Sequence, residues 1–156
     1  MCLNEESKVL YLGTLGSEIY QVKIDFAKKQ VSQPKVLVNG HYSPSLKDNN
    51  EVWGLNIIPN KEMYITVSDD CTLRVWDSNS KRQIKCVSFL NDEAGIPYPE
   101  DPATKEPSNA CKGRTVDVSL DGKTCAVGFR DGSVRIYNTS DWKMTKRWQL
   151  AKKLII

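Results

Sequence analysis

The chain has 156 residues, 40% hydrophobic and 26% charged, with 22 Lys+Arg against 19 Asp+Glu for a formal net charge of +3. That is ordinary globular usage, and the charge is too slight to argue for nucleic acid. Five cysteines (Cys2, Cys71, Cys86, Cys111, Cys125) contain no C-x-x-C pair; neither a zinc motif nor a disulfide framework is visible, so reduced thiols in a cytosolic protein are expected.

The opening MCLNEESKVL has no basic segment followed by an apolar one, so no secretory leader is expected. No apolar run approaches the roughly 18–20 residues of a membrane span. The first predicted element is a hairpin at 10–24, LYLGTLGSEIYQVKI, turning at Gly16-Ser17. PKVLVNGHYS then reads as a strand, and EVWGLNIIPN as another ending at Pro59-Asn60. YITVSDDCTLRVWD alternates β-branched and aromatic residues about Asp69-Asp70, which predicts strands at 63–68 and 72–76. RQIKCVSFL supplies an outer strand.

Residues 91–111 hold four of the seven prolines and five acidic residues against Lys105, a loop composition that no strand interior tolerates. RTVDVSLDGK and CAVGFRDGSVRIYN repeat the strand-turn-hairpin order, with the turn at Asp131-Gly132. Asn138-Thr139-Ser140 matches a glycosylation acceptor, but in a chain without a leader it reads as a turn. In WKMTKRWQLAKK, at 142–153, five basic residues meet no acidic one. Strict alternation there puts Met144, Trp148 and Leu150 on one face and Lys143 and Arg147 on the other.

Superposing the turns places Val22, Trp76 and Tyr137 at one equivalent position, so the chain repeats a unit of four short strands. Period-2 alternation prevails, and no stretch holds helical spacing for three turns. Four strands per unit, Gly40-His41 before an inner strand and Trp76-Asp77 closing a hairpin resemble the WD-repeat β-propeller family, whose repeats run about 40–45 residues. The order of GT…EI, GH…EVWGL…P and TVSDDCTLRVWD resembles, more narrowly, the echinoderm microtubule-associated-protein-like family. The expected fold is all-β, a partial WD-repeat propeller of four-stranded antiparallel blades. Its parts are a partial blade at 8–38, a blade with the complete motif at 39–90, an acidic Pro-rich insertion at 91–111, and a further blade and truncated end at 112–156. Since a propeller needs at least four blades, the chain reads as a fragment of a longer one, or as self-associating through open blade edges.

The resemblance implies a buried hydrogen-bond tetrad of His41, Thr66, Asp70 and Trp76, with Ser68 as the alternative hydroxyl. Asp131 recurs in the next hairpin, but Val127 and Tyr137 replace the other partners and break that network. His41 and Asp70 could pass for a catalytic pair, yet the only histidine is better placed as architecture. GTLGSE lacks the Lys-Ser/Thr ending of a phosphate loop, and no His/Cys metal spacing occurs. No enzyme activity, cofactor or metal is expected.

What remains is binding of other proteins. The resemblance implies a cytoplasmic, cytoskeletal scaffold whose partner is tubulin or microtubules; the alternative is a WD-repeat adaptor in an RNA-processing or ubiquitin-ligase assembly. Neither a membrane nor nucleic acid is an expected partner. Candidate contact residues are Ile96 and Tyr98 in the insertion, and Lys143, Lys146 and Arg147 in the basic stretch.

Overall fold

The computed structural model describes residues 1–41, 50–91, 95–100, 102 and 107–150. Its strands form three antiparallel sheets. The first holds β1 (Cys2–Asn4), β2 (Val9–Gly13), β3 (Glu18–Asp25), β4 (Gln30–Val31) and β5 (Lys35–Asn39). The second holds β6 (Val52–Ile58), β7 (Met63–Ser68), β8 (Thr72–Asp77) and β9 (Gln83–Ser88). The third holds β10 (Gly113–Val118), β11 (Thr124–Phe129), β12 (Ser133–Asn138) and β13 (Met144–Gln149), preceded by one 3-10 turn at Asn109–Cys111. The chain is all-β, its sheets packed as the antiparallel blades of a partial propeller: the second and third have the expected four strands, and the first has five.

The first unit differs from the partial blade expected at 8–38. Its sheet reaches back to β1, where Cys2, Leu3 and Asn4 pair with Tyr11, Leu10 and Val9. Three residues are too few to show an alternating pattern. The turn behind them has no Gly or Pro; it is held by the Asn4 carboxamide, which accepts from the Ser7 amide at 3.0 Å.

The central hairpins share one turn chemistry. Each places a left-handed residue at the matching position, Ser17 (φ 69°), Cys71 (φ 62°) and Gly132 (φ 83°). In the second and third blades an aspartate secures the bend. Asp70 Oδ1 accepts from the Thr72 amide at 3.0 Å, and Asp131 Oδ1 from the Ser133 amide at 2.8 Å. Such a local bond mimics a backbone turn, which is why Asp is favoured there.

The blades stack face to face through two apolar seams. Between the first and second lie Val9, Tyr11, Ile19, Leu37, Leu55, Tyr64 and Trp76. Tyr64 stacks on Tyr11 at 5.1 Å and on Trp76 at 6.2 Å. Between the second and third lie Ile65, Val67, Leu73 and Val75 from one side and Val116, Cys125, Val127 and Phe129 from the other, with Phe89 edge-on to Phe129 at 4.8 Å. The middle blade is buried on both faces, so β7 shows almost no burial alternation, whereas β12 alternates strictly.

The inner strands approach closely. A Cβ on Gly54 would stand 2.9 Å from the Val116 nitrogen and 3.0 Å from the Thr115 carbonyl carbon. Glycine here lets β6 lie against β10.

Strict alternation fails in β13. Met144 pairs with Tyr137, but Lys146 pairs with Ile136 and Arg147 with Arg135, so Thr145 is a bulge. Directly opposed residues share a face, and an inserted residue flips the rest of its strand. Met144 and Arg147 therefore face the second blade with Tyr137 and Arg135. Lys146 and Trp148 face away with Ile136 and Val134. The expected division into Met144 and Trp148 against Arg147 is thus corrected by one extra residue.

Candidate functional site

His41, Thr66, Asp70 and Trp76 meet between the first and second blades, 2%, 0%, 3% and 5% exposed. Thr66 and Trp76 point from β7 and β8 toward the first blade, Asp70 sits in their turn, and His41 enters on the segment after β5. The Trp76 indole donates to the Thr66 hydroxyl at 2.8 Å. That hydroxyl lies 2.7 Å from His41 Nε2, and His41 Nδ1 lies 2.9 Å from Asp70 Oδ2. An indole can only donate and a carboxylate can only accept, so the direction of the chain is set. Thr66 donates to Nε2, and Nδ1–H donates to Asp70.

Asp70 collects further donors. The Thr72 hydroxyl reaches Oδ1 at 2.7 Å and Arg74 reaches Oδ2 at 2.9 Å, while Arg74 also donates to the Gly40 carbonyl at 3.0 Å. Ser68 works within the turn, its hydroxyl accepting from the Asp70 amide at 3.1 Å. Burial holds the His41 value below that of free imidazole, partly offset by the Asp70 bond and charge. Burial alone would raise Asp70, but His41, Thr72 and Arg74 together hold it below the ordinary carboxylate value. A neutral imidazole against an ionised, multiply bonded carboxylate satisfies every polar atom of the chain. Such a network rigidifies, and it leaves no group poised to attack a substrate.

The third blade keeps the frame and changes the contents. Arg135 stands where Arg74 does and donates to the Ala110 carbonyl as Arg74 does to Gly40. Cys111 therefore falls at the place of His41, with Val127 at Thr66 and Tyr137 at Trp76. The Cys71 thiol of the neighbouring turn donates to the Asp69 carbonyl at 3.5 Å, and the proximity of Cys111 together with burial pushes that thiol up. In the first blade Gly16, Leu12 and Val22 hold the equivalent places, with no polar chain.

The residues singled out as a contact surface separate. Lys143 and Lys146 are exposed. Arg147 donates to the Tyr98 hydroxyl at 2.8 Å, lies 5.5 Å from its ring centroid, and stands 3.9 Å from Asp131. Arg147 and Tyr98 thus fasten the insertion to the third blade, while the Tyr98 amide bond to the Leu90 carbonyl at 2.8 Å ties it to the end of the second. Ile96 is 61% exposed in the same insertion. Among the described residues, no three His, Cys, Asp or Glu side chains group as metal ligands.

One exposed cluster escaped the sequence reasoning. Trp53 is 46% exposed, and the Arg114 guanidinium lies 4.4 Å from its ring centroid. Arg114 is fixed from below by a two-pronged ion pair with buried Asp69. In EVWGL, Trp53 alternates with buried Val52 and Gly54, which marks it as outward, but nothing local announces a partner on the next blade.

Stacked antiparallel blades with a His-Thr-Asp-Trp chain at a hairpin turn match the pattern of WD repeats. The family model "WD domain, G-beta repeat" matches residues 33–77 and 109–138. Those segments hold the middle hairpin with its entering strands, and the core of the third blade. A solved structure described as "Structure of U3-55K" superposes with a TM-score of 0.63 at 15% identity, covering 99% of this chain and 38% of that one. This chain is similar to it in fold and spans well under half its length.

Proposed function

We propose that the chain is a non-enzymatic interaction scaffold of the cytoskeleton, with a tubulin or microtubule surface as its partner. The observation that carries protein binding is the exposed Trp53–Arg114 pair, held rigid by Asp69. Trp and Arg dominate the energetics of protein interfaces, and anchors already held in place lose little entropy on binding. The cytoskeletal partner rests on the motif order in GT…EI, GH…EVWGL and TVSDDCTLRVWD, and on exposed Lys143 and Lys146, which suit an acidic surface. A WD-repeat adaptor of an RNA-processing or ubiquitin-ligase assembly would use the same platform with another partner. The likeness to U3-55K is compatible with it but is one of fold, and fold alone does not name a partner.

Cosedimentation with microtubules, set beside RNA binding at several salt concentrations, tests the reading. Saturable microtubule binding is expected, with RNA retained only weakly. Tight RNA binding with the steep salt slope of phosphate contacts would overturn it.

A further inference from the structure

The third blade buries a cation that the equivalent position of the second blade neutralises. Arg74 is paired with Asp70 at 2.9 Å. Arg135, its counterpart, is 1% exposed, and its Nε is buried without a hydrogen-bond partner. Its guanidinium lies 3.9 Å from the Phe129 ring centroid and 5.1 Å from that of Tyr98. Asp131, which could have paired with it, is taken up by the Ser133 hydroxyl and amide at 2.6 and 2.8 Å. None of the ion pairs among the described residues includes Arg135. A guanidinium cannot shed its proton, and an unpaired buried charge is costly. Two aromatic faces and one carbonyl offset only part of that cost.

The same side chain forms part of the wall of a cleft of about 440 Å³ between the outer strands of the second and third blades. Val87 and Asn91 line one side and Tyr137, Trp142 and Lys143 the other, and among the described residues that line it none is acidic. Lys143 is exposed at its side. The cleft thus combines an exposed ammonium and a carboxamide with a buried positive charge behind a low-dielectric wall, an arrangement that concentrates field on an entering anion.

We propose that this cleft binds an oxyanion, the carboxylate or phosphate of an acidic peptide segment. Lys143 and Asn91 contact the anion, and Arg135 supplies the buried countercharge. This deepens the scaffold reading by naming a second contact and its chemistry, and it rests on that reading for the peptide as carrier.

The test follows the Arg135 Nε–H resonance of the ¹⁵N-labelled full chain, assigned with Arg135→Lys, during titration. The probes are inorganic phosphate, a glutamate-rich peptide, and a phosphoserine peptide of otherwise neutral sequence. Saturable shifts of that resonance are expected, with affinity about tenfold weaker in Lys143→Gln, as befits a lost charged hydrogen bond. Lys81→Gln, outside the cleft, leaves affinity unchanged, and backbone dispersion reports that each variant is folded. Tighter binding of the glutamate or the phosphoserine peptide identifies the source of the oxyanion. An Arg135 resonance unmoved by all three probes, or equal affinity in Lys143→Gln, overturns the proposal. Microtubule binding that persists alongside such a failure leaves the scaffold reading standing; its loss with anion binding intact strikes that reading alone.

Discussion

Asp70 accepts from His41, from the Thr72 hydroxyl and amide, and from Arg74 at once, so its removal strands four donors in or beside the first seam. Asp70→Ala is expected to cost about 1–3 kcal/mol in urea unfolding. Asp131→Ala, whose hydrogen-bonded side-chain partner is its own turn neighbour Ser133, should cost less; equal losses would contradict the difference drawn between the blades. The chain also sets a pH dependence. His41 lies below its ordinary value of 6.5 when folded, so the unfolded chain takes up that proton first as pH falls. The stability involved is whole above about pH 6.5 and is lost as pH falls toward the folded value. Asp70, also held down, has the same sign and loses its contribution as pH falls below 3.8. The urea midpoint should therefore be lower at about pH 5.5 than at about pH 8; a flat profile would contradict a neutral buried His41. At this scale the sequence was informative where a residue type has one chemical use, as with an indole donor or a lone imidazole. It was silent on Trp53, Arg114 and Asp69, because their meeting depends on the stacking of two blades.

Hairpins were legible because alternation and turn residues are local signals, and β7 and β8 begin and end close to where TVSDDCTLRVWD places them. The bulge in β13 was not, since Thr145 differs in no local way from a residue that keeps the register. Its consequence is that the basic stretch is two surfaces. Lys143→Glu with Lys146→Glu should leave the melting temperature within about 2 °C, as expected of surface substitutions. Arg147→Glu should instead release Tyr98, read as faster amide exchange at Tyr98, whose amide bonds the Leu90 carbonyl. Unchanged exchange there would show that the pair fastens nothing. A second test addresses the inner strands. Gly54→Ala forces a Cβ against the backbone of β10, which has no side-chain freedom to yield, and should destabilise by about 1–3 kcal/mol. A neutral result would mean that β6 and β10 can part without cost.

Across the whole molecule the seams repeat, and the repeat shows what the third blade presents. The Phe89 amide bonds the Cys71 carbonyl at 2.8 Å, and the Leu150 amide bonds the Gly132 carbonyl at 3.1 Å, so Leu150 is the counterpart of Phe89. Phe89 is 1% exposed under the third blade, whereas Leu150 is 72% exposed and Trp148 45%. An apolar face of this kind marks an interaction surface. Light scattering of the isolated chain should show a dimer or larger species, reduced by Trp148→Lys; a monomer at high concentration would contradict association through this face. The propeller architecture could be read from the sequence because each unit repeats its own local pattern, while the partner could not, because surfaces assemble from distant residues. The central claim, a scaffold meeting an acidic cytoskeletal surface, is tested most directly by microtubule cosedimentation of the wild type beside the Lys143→Glu, Lys146→Glu double variant. The account predicts saturable binding by the wild type and its loss in a variant that melts at the same temperature. Equal binding by both, or none by the wild type, would contradict it.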